Sequence, residues 1–313
     1  MVFNFNKLYN NLERYFNMVL RVAILGASGI GRYHSREYKN AGCEVVAILG
    51  SSEESASKTS KMLEKEFDIS VVPYYNLTKL LDCEDLNAVS ISTPLKFHYE
   101  HVRKCLEAGL HILCEKPFVQ NYEEALELCN FAKQKNCILT VNTQWPSIFP
   151  LIKQYFKDEK IEKFSMYMEP FGINKADLVM ECLPHFNSML LKLYRQINPK
   201  SIKVEIKNNC VKIKFNHVSG EEACAIEYLL KIKETKPTKM GFSINNHQFE
   251  REVRENYKQV LIHNRRDVVE IEDPLSVSIR TFVRAINGDK PLISKQEVLE
   301  NARLQDLLME KLK

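Results

Sequence analysis

Three groups of residues in this sequence have the types and spacing to do chemistry. The stretch GASGIG, Gly26 to Gly31, carries small residues where a backbone can close on a phosphate. Lys116 stands directly after the apolar run HILCE, residues 111–115. His185 follows Glu181 by four residues, one helical turn. A lysine leaving the carboxyl end of a strand in an open α/β sheet lies where such sheets bind ligands, so its ammonium can polarise a substrate oxygen. An imidazole titrates near neutrality and can move a proton in either direction. Glu181, on the same helical face, can orient that imidazole or stabilise its cation. Each has a plainer reading: a strand-end lysine is often solvated, and a histidine beside Pro184 on a leucine-rich helix is often structural. Pro184 also lacks an amide, which confines Glu181, Cys182 and Leu183 to a first turn or the approach to it. Asp177, four residues before Glu181, is a competing carboxylate.

A dinucleotide turn needs a glycine to leave the strand, a small residue against the pyrophosphate, and a glycine where helix packs on strand. Gly26, Ser28 and Gly31 fill those places in order, and Gly29 adds a flexible position beside the serine. Amides opening a helix at Ile30 and Gly31 would face the phosphate charge. The end of the second strand decides which dinucleotide. An acid there would hold the ribose hydroxyls of NAD, but AILGSSEES places Gly50, Ser51 and Ser52 at that point. This leaves room for a 2′-phosphate. With no arginine alongside, and Glu53 and Glu54 following, the lean to NADP over NAD is slight. Ser52 also reads as the cap of the next helix.

The elements that must position these groups follow from periodicity. From Met18 short β-branched runs alternate with amphipathic segments, the mark of a parallel sheet with helical crossovers. Strands are expected at 19–25, 43–49, 70–75, 87–93, 111–117 and 137–143, with helices up to Ala41 and over 52–67, 97–108 and 122–135. That is a doubly wound Rossmann domain, residues 18–145. Beyond it the rhythm changes to one helical segment, several strands in succession and two closing helices, an α+β domain of residues 146–313 on a largely antiparallel open sheet. Strands are expected at 201–207 and 211–218, joined by a turn at Asn208, Asn209 and Cys210, then at 224–232, 239–244, 258–263 and 267–271. Helices are expected over 276–286 and 295–312, and these closing helices can pack back on the first domain. Lys203, Lys207, Lys212 and Lys214 share one wet face of the sheet, which disfavours an apolar sheet-to-sheet contact there.

Composition narrows the classes further. A formal charge of +4, from 44 basic and 40 acidic residues spread along the chain, gives no nucleic-acid footprint. No apolar run is long enough to span a membrane. The nine cysteines form no CxxC pair and have no short spacing to histidine, so reduced, mostly buried thiols in a cytoplasmic protein fit best, with neither a zinc site nor a disulfide framework. Residues 1–17 lack the continuous apolar core of a signal peptide and read as a short amphipathic extension, with Met18 a possible start.

Together with STPLKFHYEHVRKCLEAG, HILCEKP and ECLPHFNSMLLKL, the stretch GASGIGRYH resembles the Gfo/Idh/MocA family of NAD(P)-dependent oxidoreductases. The resemblance covers nearly all of residues 19–143 and, more loosely, the layout of the rest. It implies that Thr93, Pro94 and His98 match the family's threonine, proline and histidine after the fourth strand, and Glu115, Lys116 and Pro117 its glutamate, lysine and proline. The family's lysine beside nicotinamide and substrate is then Lys116, and its substrate-side histidine His185. His98 reads as a cofactor-side or structural residue. Departures gather around the substrate: Leu95 replaces a common asparagine, INKADLVM replaces a glycine-rich entry, and Gln144 and Trp145 stand where an arginine is frequent. Trp145, the only tryptophan, either stacks on a sugar ring or anchors the domain junction.

The reading is an NAD(P)-dependent oxidoreductase acting on a hydroxyl or keto carbon of a sugar, sugar derivative or cyclitol. Lys116, His185 and Glu181 are its catalytic candidates. Gly26, Ser28, Gly29, Ile30, Gly31, Ser51, Ser52, Thr93, Pro94, His98, Glu115 and Lys116 are its cofactor-binding candidates. No metal is expected. The expected partner is a small polyol or sugar, not nucleic acid or membrane, and a homo-oligomer stays open. The rival is a non-catalytic, dinucleotide-binding regulator of the same fold. A methyltransferase with a similar glycine loop gains no support from EKP.

Overall fold

A computed structural model describes residues 19–174, 177–254 and 258–312. The expected extension at residues 1–17 lies outside them. The chain forms two compact units, neither contiguous in sequence. One comprises the chain up to Glu115 with Asn130–Thr140 and Ile279–Pro291, the other Lys116–Cys129, Val141–Ser278 and Leu292–Lys313.

The first unit carries a doubly wound sheet. Strands β1 (Arg21–Leu25), β2 (Glu44–Leu49), β3 (Val72–Tyr74), β4 (Ala88–Ile91), β5 (His111–Glu115) and β6 (Leu139–Asn142) lie in the order β3-β2-β1-β4-β5-β6. Val22–Leu25 and Ala88–Ile91 are buried throughout, as central parallel strands covered on both faces must be. Pro73, which cannot donate to a ladder, sits in the edge strand. The crossover helices are α1 (Gly31–Asn40), α2 (Glu53–Phe67), α3 (Leu77–Cys83), α4 (His98–Glu107) and α5 (Tyr122–Gln134). Helix α3 was not among the expected elements. It buries Leu77 and Leu80 and is capped by Asn76, whose side chain accepts from the Lys79 amide at 3.1 Å, so the cap was its one signal.

The second unit is built on an eight-stranded sheet. Its strands are β7 (Lys163–Glu169), β8 (Pro199–Lys207), β9 (Cys210–Ser219), β10 (Glu222–Lys231), β11 (Lys239–Ile244), β12 (His247–Val253), β13 (Gln259–His263) and β14 (Asp267–Ile271). Their order is β14-β13-β12-β11-β7-β10-β9-β8, antiparallel except between β7 and β10. Strands β7 and β12 are additions to the expected set. Asn208 and Asn209 alone form the β8–β9 turn, because Cys210 pairs with Lys207. On the wet face Lys212 and Lys214 meet Glu227 at 3.5 and 3.2 Å. The other face gives Phe164, Met166, Ile213, Phe215, Ile226 and Tyr228 to the core. Also in this core are α6 (Phe149–Ile152), α7 (Leu178–Leu190) and residues of α9 (Lys295–Glu310). Helix α8 (Pro274–Ile286) has its residues up to Ser278 in the second unit and the rest in the first, where its Phe282 meets Tyr38 edge-on at 6.4 Å.

Helix α7 corrects one expectation. It starts at Leu178 and carries Pro184 inside it, so Glu181, Cys182 and Leu183 are helical. A proline there costs on the order of 3 kcal/mol. Burial of Leu178, Val179, Cys182, Leu183, Phe186, Met189 and Leu190 offsets that cost. The Pro184 carbonyl is used as well, accepting from Asn301 Nδ2 of α9 at 2.9 Å.

Candidate functional site

The nucleotide turn is shaped by backbone contact. Gly26 leaves β1 with φ +89°, and a Cβ there would lie 2.6 Å from the Ser92 carbonyl oxygen. A Cβ on Gly31 would lie 2.6 Å from the Gly26 carbonyl and would also strike Ser92 Oγ. Ser92 Oγ donates back to the Gly26 carbonyl at 3.0 Å, stitching the loop after β4 to the turn. Gly29 has open space around it, and Ser28, Gly29 and Ile30 are exposed. Helix α1 opens at Gly31 with Ile30 at its cap position and no side chain capping it. A helix start leaves amides without intrahelical partners, which favours an anion.

Above the carboxyl ends of β1, β2 and β4 lies a cleft of about 770 Å³, within the range of ligand sites. Gly26, Ser28, Gly29, Ser51, Thr93 and Pro94 line it. Ser52 does not: its hydroxyl caps α2, accepting from the Ser55 amide at 3.2 Å. The cleft wall at Ser51 carries hydroxyls, from Ser51, Ser55 and Thr59, in place of a carboxylate. His98 is buried and donates from Nε2 to the Thr93 carbonyl at 2.6 Å, holding the loop from below. Glu115 is also buried, with Oε1 2.9 Å from Nε2 of buried His34. The sequence reading missed His101, which lines the cleft, stacks on Phe97 at 5.7 Å and bonds Thr93 Oγ1 at 3.1 Å. Burial pushes its imidazole down to about 4, with the Glu100 charge pulling the other way. The only signal was its place three residues after His98 in the same helix.

The catalytic candidates stand in the other unit. Lys116 follows β5, and the Lys116–Pro117 peptide bond is cis. Its Nζ donates to Glu181 Oε2 at 2.6 Å and to the Glu181 carbonyl at 3.3 Å. Both side chains are partly exposed, at 20% and 37%, so the pair is within reach of a ligand. Glu181, expected to serve His185, is thus engaged with Lys116. His185 lies one turn further along α7 and is buried, with its carbonyl accepting from Ser188 Oγ at 2.8 Å. Asp177, the competing carboxylate, is exposed and accepts from Asn174 Nδ2 at 2.5 Å. Trp145 belongs to the core of this unit, with the Arg251 guanidinium 5.3 Å from its ring centre. All nine cysteines are free thiols, and burial pushes those of Cys105, Cys129 and Cys182 up to about 12, far from a nucleophilic range. Among the described residues no cluster could hold a metal ion, and no helix is long and apolar enough to cross a membrane.

A doubly wound sheet with a glycine-built phosphate turn at its first crossover defines a dinucleotide-binding Rossmann protein. Residues 20–143 match the oxidoreductase family with an NAD-binding Rossmann fold, Gfo/Idh/MocA. Over these residues the chain is similar to that family, whose model describes an NAD-binding fold. A protein of Schizosaccharomyces pombe named as an uncharacterized oxidoreductase is 44% identical over 131 residues, 40% of this chain and 35% of the relative. D-glucoside 3-dehydrogenase of Escherichia coli is 34% identical over 122 residues, 38% of this chain and 33% of the relative. The chain thus matches about a third of the length of these curated relatives. In fold the likeness reaches further. The structure of UDP-N-acetylglucosamine 3-dehydrogenase from Acidithiobacillus ferrooxidans covers 94% of this chain and 98% of its own, with a TM-score of 0.75 and 18% identity.

Proposed function

We propose that the chain is an NAD(P)-dependent oxidoreductase that transfers a hydride between nicotinamide and a hydroxyl or keto carbon of a sugar, sugar derivative or cyclitol. The observation that carries this reading is the 2.6 Å pair of Lys116 and Glu181, one helical turn before His185. The dinucleotide supplies the hydride acceptor or donor. Lys116 donates to the reacting oxygen and stabilises the negative charge that gathers there as the hydroxyl proton leaves in oxidation or as the hydride arrives in reduction. His185 takes the hydroxyl proton in oxidation and returns it in reduction. Glu181 sets the direction of the ammonium. The names of two relatives, a glucoside dehydrogenase and a nucleotide-sugar dehydrogenase, support a sugar substrate. The absence of a carboxylate over Gly50–Ser52 supports NADP over NAD, and nine free thiols support the cytoplasm.

The test is turnover of the full chain with NADP⁺ and NAD⁺ across polyols, glycosides and nucleotide sugars, followed by absorbance of the reduced nicotinamide. Lys116→Ala should lower kcat by about a thousandfold and His185→Ala by about a hundredfold. Full turnover in both variants overturns the assignment. Tight nucleotide binding with no turnover across the panel would favour the regulator instead.

A further inference from the structure

His34, the last residue of GASGIGRYH, is absorbed by none of the roles above. It is completely buried, as is Ser90 of β4, and Glu115 at the end of β5 is 8% exposed. The imidazole joins these two strands: Nδ1 lies 2.7 Å from Ser90 Oγ and Nε2 lies 2.9 Å from Glu115 Oε1. A carboxylate only accepts, so Nε2 carries a proton towards Glu115, and Nδ1 stands within hydrogen-bond distance of the Ser90 hydroxyl. Hydroxyl, imidazole and carboxylate thus stand in the order of a hydrolase relay. Ser90 has no exposed surface and meets no substrate, so nucleophilic chemistry is excluded. What remains is a fixed link between α1, which opens directly after the nucleotide turn, and the residue that precedes Lys116.

We infer that His34 is a positioning residue for Lys116, acting through Glu115. A buried carboxylate must be hydrogen-bonded or give up its charge. Without the imidazole Glu115 loses its bond to α1 at 2.9 Å, and the strand end from which Lys116 leaves is held less firmly. The inference rests on the role given to Lys116 above.

Its test needs no substrate. The full-length chain, as wild type, His34→Leu, His34→Gln and Glu115→Gln, is treated with a limiting acylating reagent, and each lysine's labelling rate is read by peptide mass spectrometry. Lys39 and Lys212 serve as internal references. In His34→Leu and in Glu115→Gln the Lys116 rate should change in the same direction, by about threefold or more, while the references stay constant. His34→Gln, whose amide can still donate to Glu115, should restore the wild-type rate to within about twofold. If His34→Leu does not fold, Glu115→Gln and His34→Gln still decide. An unchanged Lys116 rate in Glu115→Gln, or His34→Gln with a rate as disturbed as that of Glu115→Gln, overturns the inference. For any substrate that is turned over, kcat of His34→Leu should fall about tenfold with KM for the nucleotide nearly constant. A wild-type enzyme without turnover would strike the oxidoreductase reading and leave the labelling result standing.

Discussion

The two units hold their chemistry by different means. The nucleotide turn of the first is made by what is missing: Gly26 and Gly31 let backbone approach backbone at distances that any Cβ would block. Its polar contacts are mostly to carbonyls, as in Ser92 to Gly26 and His98 to Thr93. The candidate catalytic group of the second is made by charged side chains, with Lys116 and Glu181 brought to 2.6 Å across 65 residues of sequence. A site built on backbone shape tolerates side-chain change at its open positions and none at its closed ones. A site built on charge responds to isosteric neutralisation and little to shape.

The largest expected effect tests the first half of that contrast. Gly26→Ala puts a Cβ against the Ser92 carbonyl at a positive φ, so either the turn or the loop after β4 must move. NADPH affinity, read by fluorescence titration, should weaken by about a hundredfold or more, with a loss of thermal stability. Gly29→Ala enters open space and should change affinity by no more than about twofold. Equal losses in the two variants would show that the turn works by flexibility and not by close approach.

The same contrast explains what could be read before the fold was known. Five of the six strands of the Rossmann sheet are largely buried runs, so each announces itself within a few residues, and so does the turn, while the edge strand β3 is mostly exposed. Ser28 in place of a middle glycine hid nothing, because its position is open. In the second unit β7 is spelled KFSMYME, with Met166 and Met168 at its buried positions in place of β-branched residues. Strand β12, HQFEREV, buries little besides Phe249. Its strand character comes from the neighbours it pairs with. The start of α7 was misjudged because tertiary burial outweighed the local rule for Pro184. Sequence spacing pairs Glu181 with His185, which is local, whereas its partner in the structure, Lys116, lies 65 residues away.

Glu181→Gln sharpens the second half of the contrast. The amide keeps the shape and an acceptor for Lys116 Nζ, and it removes the charge. We expect kcat to fall about tenfold while KM for the nucleotide, whose cleft lies in the other unit, stays constant. Asp177→Asn, at the rival carboxylate that accepts from Asn174, should leave kcat within about twofold. A larger loss in Asp177→Asn than in Glu181→Gln would move the catalytic carboxylate one turn back along the chain.

The smallest expected effect concerns His101, where side-chain chemistry intrudes on the backbone-built cleft. Burial lowers its imidazole from 6.5 to about 4, so between those values the unfolded chain binds a proton that the folded chain does not. The stability of the folded chain therefore falls as the pH drops from about 6.5 towards 4, and this contribution levels off below the folded value. His111 and His217 are also lowered by burial and slope the same way. His101→Phe keeps a ring against Phe97 and removes the titration. Above neutral pH it should cost about 1 kcal/mol, for the lost bond to Thr93 Oγ1. Across the acid window its urea midpoint should fall less steeply than that of the wild type. Parallel slopes in the two proteins would mean that His101 takes up its proton in the folded chain as readily as in the unfolded one, and that the loop after β4 opens to admit it.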